Sequence, residues 1–348
     1  MRLQDGQRMS GLLQSGRRFS QESSARFFQA IFHTDCTRCG CLCLTTARCR
    51  TDKGERSMLD FRMETFLAVC QCMNFTRASE QLNITQPAVS QHIRFLEKHY
   101  HTKLFCYEGK KLRLTGAGEI LRNASLTMMH DELSMQSEMQ RSDQSDAIRF
   151  GATRTVGDAL MGGILEKYLR KYPDADIHMI VENTQELLGR LDDGGIDFAL
   201  VEGFFKKSEY DYQKFSDENY IAVCSPEYRF QKTPDKVENL FQERLLLREE
   251  GSGTREVLER WLDSRNLGTA DFGKVMEAGS LHTIKELTKS GCGITFLYEV
   301  AVREELEKGT LTRIPLKDFR VSHEFTFIWR RGSIYADRYR EIFRRFSA

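Results

Sequence analysis

Five residues on one short stretch could read the bases of DNA. Gln and Ser side chains can hydrogen-bond to base edges in the major groove, a proline ring can touch a thymine methyl group, and an arginine can hold a phosphate. The five are Gln86, Pro87, Ser90, Gln91 and Arg94. Thr76, before this stretch, and Lys110 and Lys111, after it, could contact phosphates. The alternative is that all of these residues form the solvated surface of an ordinary helix.

Three loops in the second half of the chain could bind a small anion. Each loop follows a predicted strand and opens a predicted helix, where exposed backbone amides and the helix dipole favour carboxylates and small oxyanions. Their residues are Thr153, Arg154, Thr155, Asn183, Thr184, Gly251, Ser252, Gly253 and Thr254. Glu202, after another predicted strand, could form a further wall of the same site. Plain helix capping by these hydroxyl and amide side chains is the alternative.

The chain offers little for catalysis or for metal binding. The complete motifs GxxxxGK[ST], GxSxG and HExxH are absent. Cys292 lies between two glycines without a recognisable histidine partner, so packing near a turn explains it better than nucleophilic chemistry. His99 and His101, at a basic helix end, form the one histidine pair with close spacing. We therefore expect no enzyme, no cofactor and no metal site.

Two short helical patterns around a tight break would position the residues that could read bases. The apolar positions with helical spacing in residues 76–96 are Ala78, Leu82, Val89, Ile93 and Leu96. These apolar residues are predicted to be core. Thr85 can cap the second helix, and Pro87 falls in its first turn, where a missing N–H costs little. A helix, a tight turn and a second helix describe a helix-turn-helix, whose second helix enters the major groove.

A two-stranded wing is predicted directly after these helices. Leu104, Phe105, Leu112 and Leu114 supply its apolar sides. Glu108-Gly109 is the predicted turn, and Lys110 and Lys111 follow it, where a wing tip could meet phosphates.

Charge is distributed unevenly along the chain. The formal net charge of +1 combines about +5 in residues 1–57, about +3 in residues 58–115 and about −7 in the remainder. A basic segment joined to an acidic body suits a polyanionic partner at one end and a sensor domain at the other.

Residues 61–121 resemble the winged helix-turn-helix of the LysR-type transcriptional regulators. The resemblance is carried by FLAVCQCMNFTRASEQLNITQPAVSQHIRFLE, then TKLF, then LRLTGAG leading into a helix. It continues more loosely to the C-terminus and leaves out residues 1–57. Gln91 and Tyr107 stand where the family often has arginine, so each removes a phosphate contact that the family would make.

The resemblance, together with alternating strands and helices from Ala147, predicts an α/β protein in several parts. Residues 58–116 would form the winged helix-turn-helix and residues 117–143 a linker helix that pairs two subunits. Residues 147–348 would form a two-lobed effector domain like that of periplasmic binding proteins. Lobe I would hold 147–222 and 323–348, and lobe II 223–322. In the family the co-inducer binds at loops that correspond to those above.

The function that the resemblance implies is a DNA-binding transcriptional regulator controlled by a small anionic co-inducer. Its partners would be double-stranded DNA with an inverted repeat, a second copy of the chain in a dimer or tetramer, and RNA polymerase as a further candidate. A cytoplasmic small-molecule-binding module or enzyme with an incidental helical N-terminus is the alternative. No apolar run long enough for a membrane span occurs, and we expect a cytoplasmic protein without membrane contact.

Residues 1–57 lack a sustained helical or strand period and are rich in Arg, Ser, Gln and Cys. We expect a disordered or mis-assigned extension, with Met58 as the native start. A zinc site at Cys36, Cys39, Cys41, Cys43 and Cys49 is the less favoured alternative, because a clean ligand spacing is missing.

Overall fold

The computed structural model describes residues 59–140 and 147–347. The expectations for residues 1–57, including the zinc site, and for the start at Met58 lie outside the described residues. Three helices open the described chain: α1 (Phe61–Cys72), α2 (Phe75–Leu82) and α3 (Gln86–His99). Asp60, Asn74 and Thr85 cap them, since each side chain accepts a hydrogen bond from an amide of the first turn. Asn83 adopts the left-handed conformation that ends α2.

The three helices pack around one apolar core. Its fully buried members include Phe66, Val69, Ala78, Val89, Ile93 and Leu96. The apolar positions predicted as core from their helical spacing are therefore buried, apart from Leu82, which is half-buried at the margin of the same core.

The wing consists of β1 (Phe105–Glu108) and β2 (Lys111–Leu114), paired antiparallel. Glu108 lies opposite Lys111, so the two turn residues are Gly109 and Lys110. The predicted turn at Glu108-Gly109 was therefore one residue too early. The left-handed φ of +64° at Gly109 is typical of the first central residue of a tight hairpin turn. This correction places Lys110 at the wing tip itself.

A long helix, α4 (Gly116–Gln140), follows the wing and contacts both the helix-turn-helix and the effector domain. Leu126 joins the apolar core of the helix-turn-helix. Farther along, Thr127 Oγ1 donates to the Arg331 carbonyl and Ser333 Oγ donates to Asp131 Oδ1 at 2.6 Å, which ties the helix to its own effector domain.

The remainder alternates between strands and helices, as predicted. The first half contains β3 (Ile148–Thr153), α5 (Gly162–Lys171), β4 (Ile177–Glu182), α6 (Thr184–Asp192), β5 (Phe198–Val201) and β6 (Tyr210–Cys224). Helical turns at Arg154–Val156 and Gly157–Met161 lead directly from β3 into α5. The second half contains β7 (Arg244–Arg248), α7 (Gly253–Asp263), β8 (Lys274–Ala278), α8 (Leu281–Lys289), β9 (Thr295–Tyr298), α9 (Arg303–Glu307), β10 (Thr312–Arg313), β11 (Val321–Arg330) and α10 (Ala336–Phe346).

One seven-stranded sheet runs through both lobes, in the order β10-β6-β11-β5-β3-β4, with β9 also paired to β6. The long antiparallel strands β6 and β11 cross from lobe to lobe, with a bulge at Phe325/Thr326. Only the apolar runs at 220–224 and 325–329 are recognisable as strand from the sequence alone. The first part of β6 was not predicted as strand because the stretch between Asp211 and Asn219 is largely polar. Its residues alternate between half-buried and exposed positions and lack the apolar run of a buried strand.

A smaller parallel sheet, β7-β8, completes lobe II and contacts the larger one through Leu245 and Ile294. Within residues 59–140 and 147–347, every helix is too short or too polar to cross a lipid bilayer.

Candidate DNA-reading surface and ligand cleft

The outer face of α3 carries the residues that could read bases. Gln86, Pro87, Gln91 and Arg94 are exposed, and Ser90 is half-buried. Gln86 Nε2 donates to Ser90 Oγ at 2.9 Å, one helical turn away, so the two side chains form a single polar patch. This face points outward because Val89, Ile93 and Leu96 hold the opposite face in the core.

Exposed cations lie on the same helix as this polar patch and at the tip of the wing. Arg94, Lys110 and Lys111 are exposed, and none of them has an ion-pair partner among the residues that the structure describes. Arg113, by contrast, pairs with Glu108 across the wing. Thr76 is exposed in the first turn of α2, while the hydroxyl of Thr85 is partly occupied as a cap by accepting from the Ala88 amide at 3.4 Å. Unpaired cations next to a polar helix face suit a polyanion.

The candidate ligand residues gather at the junction of the two lobes. In lobe I they follow the parallel strands β3, β4 and β5, whose carboxyl ends share one edge of the sheet. In lobe II they follow β7 and open α7. Thr155 Oγ1 lies 3.3 Å from Thr254 Oγ1, and Thr254 Oγ1 donates to Glu202 Oε1 at 2.6 Å. The sequence-predicted loops therefore meet.

Gly203 of lobe I and Gly253 of lobe II allow the lobes to approach closely at this junction. A Cβ atom added to Gly253 would lie 2.6 Å from the Cα and from the amide nitrogen of Gly203. Gly251 opens the same loop with a φ of +83°, and its carbonyl accepts from the Gln185 amide at 3.4 Å. Any side chain at position 253 would push the two backbones apart.

Several buried polar atoms at the junction have no hydrogen-bond partner. They are Thr153 Oγ1, Thr184 Oγ1, Glu202 Oε2, Arg248 Nη1 and Ser252 Oγ. A buried polar atom without a partner costs about 1–3 kcal/mol. These atoms are therefore available to hydrogen-bond a ligand or ordered water.

Helix capping explains some of the candidate residues and not others. Asn183 forms a capping box, because its side chain accepts from the Glu186 amide at 2.9 Å while the Glu186 carboxylate accepts from the Asn183 amide. Thr153 and Ser252 also occupy N-cap positions, but neither side chain makes a cap bond. Helix capping therefore accounts for the side chain of Asn183 but not for those of Thr153 and Ser252.

Sequence reasoning missed Arg248 and Glu249. Arg248 is 3% exposed, and its Nε and Nη2 atoms donate to the Glu249 carboxylate at 2.8 and 3.0 Å. Arg154 Nε lies 3.4 Å from Glu249 Oε1, so one carboxylate holds two guanidinium groups. The position of Arg248 at the carboxyl end of β7 was the available signal, since ligand residues collect there.

Burial governs the titration of the acidic groups at the junction. It raises the pKa of the Glu202 carboxyl, and the hydroxyls of Thr254, Thr155 and Thr153 and the Arg248 charge only partly offset this. Burial likewise raises the pKa of Tyr220 and of Tyr298 well above the usual value. The junction therefore favours neutral acids.

Two family models match this chain, one in its N-terminal part and one in its C-terminal part. The family model described as "LysR substrate binding domain" matches residues 141–346, and "Bacterial regulatory helix-turn-helix protein, lysR family" matches residues 61–119. The HTH-type transcriptional regulator CysL of Bacillus subtilis is 27% identical over 269 residues, which cover 76% of this chain and 89% of CysL. The uncharacterized HTH-type transcriptional regulator YeiE of Escherichia coli is 28% identical over 253 residues, covering 73% and 85%.

Solved structures share the fold. A hydrogen-peroxide-bound mutant of OxyR from Corynebacterium glutamicum superposes with a TM-score of 0.52 at 22% identity, covering 84% of this chain and 92% of that one. Full-length LysG from the same organism, with bound effector Arg, gives a TM-score of 0.51 at 17% identity, covering 83% and 98%.

Proposed function

Because the chain belongs to the LysR family of transcriptional regulators, we propose that its winged helices bind an inverted-repeat operator and that a small anionic metabolite at the lobe junction alters this binding. The observation that carries the proposal is the exposed polar face of α3, together with exposed cations on α3 and on the wing that have no ion-pair partner in the described chain. A ligand changes the DNA complex only by preferring one arrangement of the lobes.

On the DNA side, Gln86, Ser90 and Gln91 would contact base edges and Pro87 a thymine methyl group. The phosphate contacts would come from Arg94, Thr76, Lys110 and Lys111, with Thr85 holding the start of α3. The exposure of these side chains supports the assignment. Ser90, half-buried and bonded to Gln86, would act with that glutamine rather than alone.

On the effector side, the lobe junction would bind the metabolite through the polar atoms that lack partners. The contributing residues are Thr153, Arg154, Thr155, Thr184, Glu202, Arg248, Gly251, Ser252, Gly253 and Thr254. Asn183 would support the site as a helix cap. We further infer a cytoplasmic protein that pairs through α4 into dimers or tetramers, with RNA polymerase as a candidate partner at the promoter.

A mobility-shift assay on the DNA just upstream of the gene tests this proposal. Arg94→Ala should weaken binding to every sequence, whereas Gln86→Ala should reduce base discrimination by about 1–3 kcal/mol. Lys110→Ala should lower the slope of log affinity against log salt concentration by about 1. Arg303→Ala, exposed on lobe II, is the control and should leave the shift unchanged.

The rival function, a ligand-binding module or enzyme with an incidental helical N-terminus, predicts a different outcome. It requires small-molecule binding without any operator shift. Equal effects of Arg94→Ala and Gln86→Ala on all sequences would contradict the separate roles assigned to these two side chains.

A further inference from the structure

We propose that Glu202 binds the effector as a neutral carboxylic acid, with Oε2–H donating a hydrogen bond to an oxygen of a small oxyanion or carboxylate. The inference rests on the proposed function and specifies which chemical group the effector presents to lobe I. It assigns Glu202 as a specificity-determining residue that couples effector binding to a proton.

The two oxygens of Glu202 have different surroundings. The residue is 1% exposed, and Oε1 accepts from Thr254 Oγ1 at 2.6 Å. Oε2 is buried and has no partner. An ionised carboxylate with one oxygen left unsatisfied in a buried site is strongly disfavoured, whereas a neutral acid needs only one acceptor for its proton.

Groups that face Glu202 from the neighbouring elements are not available to stabilise an ionised Oε2. On β6, the Tyr220 hydroxyl donates to the carbonyls of Thr254 and Phe296. On β9, the Tyr298 hydroxyl donates to the Glu202 carbonyl, at 3.0 Å, and not to its carboxyl. On β7, Arg248 contributes its charge from a distance while two of its nitrogens bond Glu249.

The hydroxyls nearest to Glu202 only partly compensate for its burial. Thr254, Thr155 and Thr153 lower the pKa of the Glu202 carboxyl by hydrogen bonding, and the charge of Arg248 lowers it too. Burial is the largest influence and outweighs these groups, so the pKa is raised and the protonated form is favoured.

The remaining atoms without partners indicate that the ligand supplies acceptors. Arg248 Nη1 can only donate, and the hydroxyls of Thr153, Thr184 and Ser252 can each donate. A carboxylate or oxyanion offers two or more acceptor oxygens to such a set.

Charge balance agrees with this arrangement. Arg154 and Arg248 carry two positive charges against the one negative charge of Glu249. The cluster therefore carries a net positive charge, and attracts an anionic ligand, only when Glu202 is itself uncharged. Ionised Glu202 would instead repel an oxyanion placed at Oε2, and would select a ligand with an ammonium group.

Proton coupling follows from this chemistry and can be measured. Sulfate and glycine serve as probes, since neither changes its charge appreciably between about pH 6 and about pH 8. Titration calorimetry on the full chain compares wild type, Glu202→Gln and Glu307→Gln, an exposed carboxylate on α9 that serves as the control. We expect sulfate affinity of wild type and of the control to fall by up to about tenfold per pH unit above the pKa of Glu202.

Glu202→Gln should still bind sulfate, and with little dependence on pH, because its amide N–H₂ donates from the same position. Loss of sulfate binding in Glu202→Gln, sulfate affinity of wild type that rises with pH, or binding of glycine in preference to sulfate would each overturn the proposal. A flat profile in wild type means that Glu202 keeps one protonation state over the whole range, and the ligand-free measurement below then decides which state it is. If neither probe binds wild type at any pH, the lobe junction fails as an effector site and the proposed function fails with it.

A measurement without ligand distinguishes failure of the inference about Glu202 from failure of the proposed function. Because the pKa of Glu202 is raised on folding, wild type should lose stability relative to Glu202→Gln as the pH rises above the unfolded-state value of about 4.3. Glu307→Gln should show no such trend against wild type. If wild type and Glu202→Gln keep the same difference in unfolding midpoint at every pH, Glu202 is not a neutral acid and the inference is wrong, whatever the probes do.

Discussion

Three polar N-cap residues have different roles at the lobe junction. Asn183 closes a capping box, whereas the hydroxyls of Thr153 and Ser252 are buried without a cap bond. Losing a true cap costs about 1 kcal/mol, whereas losing a hydroxyl that makes no bond should cost the folded protein little. The same kind of substitution therefore distinguishes a structural residue from a binding residue.

Ser252→Ala should change the free energy of unfolding by less than about 0.5 kcal/mol and weaken binding of an oxyanion such as sulfate. Asn183→Ala, the matched cap variant, should destabilise the protein by about 1 kcal/mol. Urea denaturation and titration calorimetry measure the two effects. A loss of 1 kcal/mol or more in Ser252→Ala would mean that the hydroxyl is structural.

Asp131 on α4 gives a second prediction at the scale of one residue. Burial opposes its ionisation, but hydrogen bonds from His130, Ser333 and the Ile334 amide outweigh burial and lower its pKa. The stability that the ionised carboxylate contributes is therefore present above the unfolded-state pKa of about 3.9 and lost as the pH falls through the lower folded value.

Asp131→Asn should accordingly cost about 1–2 kcal/mol near pH 7, and the gap to wild type should narrow as the pH falls from about 5 to about 3. Urea midpoints across this range measure the gap. Asp263→Asn, at an exposed aspartate on α7, should show no such narrowing. If the difference in urea midpoint between wild type and Asp131→Asn is the same at every pH, Asp131 is not an ionised contact between α4 and lobe I.

Residue types at strand ends were enough to select most of the polar residues that meet at the candidate ligand site, but not to tell which of their atoms lack a hydrogen-bond partner. Thr153, Thr155, Thr184 and Thr254 could be chosen because each follows a predicted strand or opens a predicted helix. Whether a hydroxyl caps its own helix depends on side-chain rotamers and on the neighbouring lobe, which the sequence does not encode locally. Arg248 was missed for a related reason: its burial depends on Glu249 and on packing from the other lobe.

At the scale of elements, the helices and their caps were more predictable than the strands. Asn74, Thr85 and Pro87 act within one turn, so their effect can be recognised from spacing alone. The polar half of β6 was not recognised because its partner, β11, lies about a hundred residues away in the chain, and pairing at that separation leaves no local signal. The wing turn was predicted one residue too early because its position depends on the register of the two strands. That register, which leaves Gly109 and Lys110 as the turn, cannot be recognised from the local sequence.

The contact between the end of β5 and the start of α7 gives a prediction about closure of the lobes. Gly253→Ala would place a Cβ 2.6 Å from the backbone of Gly203, where no flexible side chain can yield. We expect the lobes to be held apart and sulfate affinity to fall by roughly tenfold or more, a loss of about 1.4 kcal/mol. Gly162→Ala, in open space on a helix, should leave affinity unchanged. Titration calorimetry on both variants measures this, and unchanged affinity in Gly253→Ala would show that close approach is not needed.

At the scale of the whole molecule, α4 both contacts its own effector domain and carries exposed apolar side chains. Asp131 and an ion pair between Arg122 and Glu209 tie the helix to lobe I. Ile120, Met128 and Met139 are 73%, 56% and 75% exposed, and nothing in the described chain covers them. With 3.6 residues per turn, these three fall within an arc of about 100°, together with Ala124 and Met135. Asp131 falls within the same arc, so its contact with lobe I divides the apolar stripe into a part before Asp131 and a part after it. Leu121, at the edge of the arc, packs partly against the helix-turn-helix core instead.

An apolar stripe on a long helix is the surface that a second copy of the chain would cover if α4 pairs two subunits. Burying one Met or Ile side chain contributes about 1.5–3 kcal/mol, and a two-fold axis counts each residue twice. Met128→Glu would place two carboxylates in that contact, so we expect the dimer dissociation constant to rise at least about a hundredfold. Analytical ultracentrifugation measures it, with Gln140→Glu, on a different face of the same helix, as the control.

Operator binding should respond together with assembly. Two winged helices joined in a dimer reach both half-sites of an inverted repeat in one event, whereas separate subunits must bind each half-site independently. Met128→Glu should therefore weaken binding to the full repeat far more than to a single half-site, while Gln140→Glu should affect neither. If Met128→Glu sediments as wild type does, the exposed stripe on α4 is not the pairing surface and the subunits must meet through another face.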